Sequence, residues 1–79
     1  MKLFFVTVLI LTTKTPVEGW IQYTESFSDK KVCEQVIRKD YDTIASAAAT
    51  HLSKVFVSIK EMRCMTYQDA VMANTQLGH

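Results

Sequence analysis

Leu3–Leu11 reads LFFVTVLIL, eight strongly apolar side chains interrupted only by Thr7. No other stretch limits the chain so severely, because it admits two fates that lead to different proteins. As an export signal it has the right parts. Lys2 and the amino terminus supply positive charge, and the apolar run falls within the h-region length of about 7–15 residues. Thr12–Gly19 then serves as a polar c-region, with Pro16 breaking any helix. Val17-Glu18-Gly19 places a small residue at the scissile position, which sets cleavage before Trp20. The run is too short to be a stable membrane span, since a helix needs about 20 apolar residues. As a strand it is equally well made: β-branched and aromatic side chains suit a buried strand. The first fate gives a signal over residues 1–19 and a single small domain over residues 20–79, periplasmic or secreted. The second gives a cytoplasmic domain in which residues 3–13 form a sheet strand.

Size presses on either outcome. The chain has 79 residues, and the portion from Trp20 onward has 60. A domain of about 60 residues hides only about 60% of its unfolded surface, so it needs a staple, a partner copy or an extra strand. Without residues 1–19, seven basic and seven acidic side chains remain. Neutrality gives no electrostatic case for nucleic acid.

From Trp20 the pattern alternates through Phe27, with Ile21, Tyr23 and Phe27 on one face, as in a half-buried strand. Ser28 reads as an N-cap, Phe27 and Val32 as a hydrophobic staple, and Asp29 as a first-turn acid. Val32, Val36, Ile37, Tyr41, Ile44, Ala48, Leu52 and Val55 then recur at helical spacing, predicting a helix from about Asp29 to Ser53. Its other positions carry charges of both signs, which read as a solvated face. Alternation returns at Val55–Cys64 and falters around Lys60, where a bulge is expected. Thr66 and Asp69 have capping-box spacing, predicting a short helix over Tyr67–Ala73, with Asn74 as its stop and Thr75–His79 as a loose tail. The fold class is therefore α+β: a small β-α-β-α miniprotein, or ββαβ if the first segment is kept as a strand, with one long helix on a small sheet.

The two cysteines fit this plan. From Cys33 the helix runs about 30 Å to Ser53, and the strand from Val55 returns about 30 Å to Cys64. An antiparallel helix and strand thus bring both sulfurs to one end, and a Cys33–Cys64 disulfide is expected in an exported chain. In the cytoplasmic reading they are free, buried thiols.

Chemistry is sparse. A zinc site wants about four converging N or S ligands. Cys33 and His51 lie about 27 Å apart along one helix, which also defeats a Cys–His nucleophile pair. Gly19 and Gly78 are the only glycines, so no phosphate-cradling loop exists. The sequence therefore predicts no enzyme, no metal and no cofactor.

Gly19-Trp20, then Phe27 followed six residues later by Cys33, then Cys64, resembles the layout of small signal-bearing, two-cysteine proteins of tailed bacteriophages and bacteria. That resemblance implies an exported, disulfide-bearing α/β miniprotein and carries over no functional residue. The function expected is a non-catalytic interaction protein that binds a protein or envelope partner. Trp20, Ile21, Tyr23 and Met62 are its candidate contacts, competing with a role in the sheet core, and a homodimer is a further expectation. The alternative is a cytoplasmic structural or regulatory subunit, such as a phage particle component, that offers an open strand edge.

Overall fold

A computed structural model describes residues 2–15 and 17–77. Met1, Pro16, Gly78 and His79 lie outside them. Five elements follow in order: β1 (Phe4–Thr12), β2 (Glu18–Phe27), α1 (Lys30–His51), β3 (Phe56–Met65) and α2 (Tyr67–Gln76). The fold is α+β, and it takes the ββαβ form expected when the first segment is a strand.

β1 is the middle strand of a three-stranded sheet of order β2-β1-β3, antiparallel to both neighbours. Its composition explains the position. A central strand has both edges paired and both faces covered, so it tolerates a nearly continuous run of β-branched and aromatic side chains. Val6, Val8 and Ile10 project to one face, and Thr7 and Leu9 to the other; all five are buried. β2 and β3 run parallel but do not pair, because β1 occupies the place between them. It supplies the third strand that so small a sheet requires.

The alternation that falters in β3 marks a true irregularity. Leu9 faces Glu61 and Ile10 faces Ile59, so Lys60 is the extra residue of a bulge. A second shift leaves Val57 between Ser58 and Phe56, and another interrupts the β1–β2 register between Phe5 and Thr7.

α1 lies on the Val6–Val8–Ile10 face. Its N-cap is Asp29 rather than Ser28: Asp29 has extended backbone, its side chain accepts from Lys31 N–H at 2.9 Å, and its carbonyl accepts from Cys33 N–H. Asx and Ser side chains cap equally well, and here the chain turns one residue later than the staple spacing suggested. The buried line is Cys33, Ile44 and Ala48, with Val36 and Ile37 packed against the core, while Val32 and Tyr41 are exposed. Asp40 breaks the helical geometry (φ −115°, ψ 22°). Cys33, Ile37, Ile44 and Ala48 still share one stripe across that kink, and Val32 and Tyr41 fall on its flanks.

α2 covers the opposite face and lies chiefly over β2. Thr66 caps it by accepting from Asp69 N–H at 3.1 Å, as the capping-box spacing predicts. The helix continues past Asn74 to Gln76, so Thr75 and Gln76 are helical rather than a loose tail. Asn74 is a poor stop here because its side chain is engaged with the sheet.

Candidate functional site

The feature that joins the layers covalently is the disulfide between Cys33, in the first turn of α1, and Cys64, opposite Val6 on β3. The Cα atoms stand 6.0 Å apart, within the ordinary range for the bond, and the sequence separation is 31. The matched lengths of α1 and β3 bring the two sulfurs to the same end of the domain. Cys33 is fully buried, whereas Cys64 is half-buried.

Cys64 forms part of the wall of an open groove of about 460 Å³ between α1 and β3. Lys30, Glu34 and Arg38 line it from the helix, with Ile37 beneath them; Met62 and Arg63 line it from the strand. The helix residues recur every fourth position, which sets them in one row along α1. Two cations and one carboxylate from α1 therefore stand beside the half-buried Cys64, while Arg63 is paired with Glu61. Sequence reasoning read these charges as a solvated face; the four-residue spacing from Lys30 through Arg38, beside Cys33, is the signal that distinguishes them.

The candidate contact residues separate between the two faces. Ile21, Tyr23 and Met62 pack against the core. The Tyr23 hydroxyl donates to the Ile44 carbonyl on α1, and burial raises its pKa above the usual tyrosine value. Ile21 and Tyr23 also edge a shallow groove with Ala47, Ala48 and His51. Trp20 lies on the α2 face. Its N–H donates to Asn74 Oδ1 at 2.7 Å, and Asn74 Nδ2 donates back to its carbonyl at 3.1 Å. The Arg63 guanidinium stands 6.0 Å from the Trp20 ring centroid while pairing with Glu61 at 2.6 Å. Lys60, at the bulge, reaches across β1 to Glu18 at 3.0 Å.

The reciprocal Trp20–Asn74 pair had no signal in the sequence, since it joins residues 54 positions apart. Gln22 Nε2 is buried without a hydrogen-bond partner among the described residues. Among those residues no group of three or more His, Cys, Asp or Glu side chains is placed to hold a metal. Among the described residues, no helix is long and apolar enough to cross a membrane.

These features define a class: a small α+β domain with a buried central strand and one helix-to-strand disulfide. Comparison with protein-family models, curated proteins and solved structures returns no match.

Proposed function

We propose that the chain is a small non-catalytic interaction protein that works in an oxidising, extracytoplasmic compartment with β1 retained as its centre. The disulfide is the observation that carries this reading. Such bonds persist outside the cytosol, and small domains outside it rely on them because their cores are thin. The resemblance to two-cysteine proteins of phages and bacteria points to the same compartment. The retention of β1 is supported by burial: Val8 and Thr7 have no exposed surface, and removing that strand would leave β2 and β3 a full strand apart.

A partner-binding role is supported by surface that the fold leaves apolar. Tyr67 and Met72 on α2 are 66% and 60% exposed, and Val71 and Leu3 are also open. Ile21, Tyr23 and Met62 pack on the core cluster, which leaves Trp20 as the contact candidate outside it. The outer edges of β2 and β3 offer a second mode, addition of a partner strand.

Intact mass and N-terminal sequencing of protein recovered from its native source test the reading. The expected result is a chain that contains residues 3–12 and is two hydrogens lighter than its reduced mass. A mature start at Trp20 would return residues 1–19 to the role of a discarded signal. Two free thiols on an intact chain would favour the cytoplasmic subunit.

A further inference from the structure

The disulfide is sealed from one side and open on the other. Cys33 has no exposed surface, while Cys64 faces the groove between α1 and β3. A thiolate approaching from solvent therefore meets the Cys64 sulfur first. The groove it must enter carries Lys30 and Arg38 from α1 against the carboxylate of Glu34, while Arg63 is paired with Glu61. Such a lining concentrates anions and repels cations. The sulfur that would be released belongs to Cys33 in the first turn of α1, buried against Val6, Val8, Ile10 and Ile44.

We propose that Cys64 is a thiolation site for small anionic thiols, entered through this groove. The incoming thiolate forms a bond to Cys64 Sγ, the Cys33–Cys64 bond breaks, and its electron pair leaves on Cys33 as a thiolate that takes a proton from water. No external oxidant is required, since one disulfide is exchanged for another. The inference rests on the disulfide and its groove alone, and not on any binding partner.

Three probes on the oxidised full chain test it: glutathione, which is anionic, 2-mercaptoethanol, which is neutral, and cysteamine, which is cationic. Each is used at matched thiolate concentration, with early quenching by an alkylating agent and peptide mass spectrometry. The expected first product carries the probe on Cys64 and the alkyl group on Cys33. Glutathione should react about tenfold faster than cysteamine, with the neutral thiol between them. Raising salt should compress that order, and Lys30→Gln with Arg38→Gln should compress it in the same way. The salt series needs no variant, so it stands even if a substitution disturbs folding. Probe on Cys33, rates independent of probe charge, or a rate independent of thiol concentration and set by global unfolding would each overturn the proposal.

Discussion

The two faces of the sheet are held by different means. On the α1 face, Val6, Val8 and Ile10 meet Cys33 and Ile44 in a dry cluster, and a covalent bond ties α1 to β3. On the α2 face, the buried Thr7 and Leu9 lie among polar fastenings: the Trp20–Asn74 pair, the Arg63–Glu61 bridge under the Trp20 ring, and Lys60 to Glu18. The ion pairs are largely exposed, and such pairs contribute at most about 1 kcal/mol. The contrast teaches that one face carries most of the domain's stability, while the other fixes where a short helix sits.

Substitutions on the two faces can break that contrast. The largest effect is expected from Cys64→Ser. Opening the Cys33–Cys64 loop should cost about 3–4 kcal/mol, read as a lowered denaturation midpoint in urea. A loss under about 1 kcal/mol would mean that apolar packing alone holds α1.

A mirror pair within β1 sharpens the comparison. Val8→Thr puts a hydroxyl into the dry face and should cost about 1–3 kcal/mol. Thr7→Val removes a hydroxyl that donates to the Phe5 carbonyl two residues away; replacing it by an isosteric apolar side chain should stay within about 1 kcal/mol. Equal losses at both sites would erase the distinction between the faces.

Asn74→Ala removes both links to the Trp20 backbone and should cost about 1–2 kcal/mol. Trp20 is the only tryptophan, so its fluorescence should shift toward that of exposed indole as α2 loosens over β2.

The smallest effect concerns Tyr23, whose hydroxyl donates to α1 from β2. Burial raises its pKa in the folded state. Its contribution is therefore fully present below the unfolded value of about 10 and is lost as pH rises through the higher folded value. Tyr23→Phe should cost about 0.5–1.5 kcal/mol at neutral pH and should flatten the decline in stability at alkaline pH. An unchanged alkaline decline would assign it to other tyrosines or to lysines.

Much of this fold was readable from local pattern. The Lys60 bulge showed as a failed alternation, the α2 start as Thr66 and Asp69 at capping distance, and the disulfide as two elements of equal length. What escaped local pattern shares one cause. Asn74 ends no helix because a strand far away in sequence engages its side chain. Val32 and Tyr41 are exposed because they lie on the flanks of the stripe that Cys33, Ile37, Ile44 and Ala48 bury, which only the packing on β1 picks out. Leu3–Leu11 stayed ambiguous because a targeting h-region and a doubly covered strand make the same demand, apolar side chains without a polar face. The groove beside Cys64 was hidden because its charges are ordinary on α1 and gain meaning only when β3 lies alongside.

The insertion of β1 between β2 and β3 also orders events during synthesis. β1 pairs on one side with β2, which follows it directly, but its other edge waits for β3, which begins at Phe56. At about 5–20 residues per second, the ribosome leaves that greasy edge unpaired on the order of seconds. The same side chains that later lie deepest are thus, for a time, the most available surface on the nascent chain.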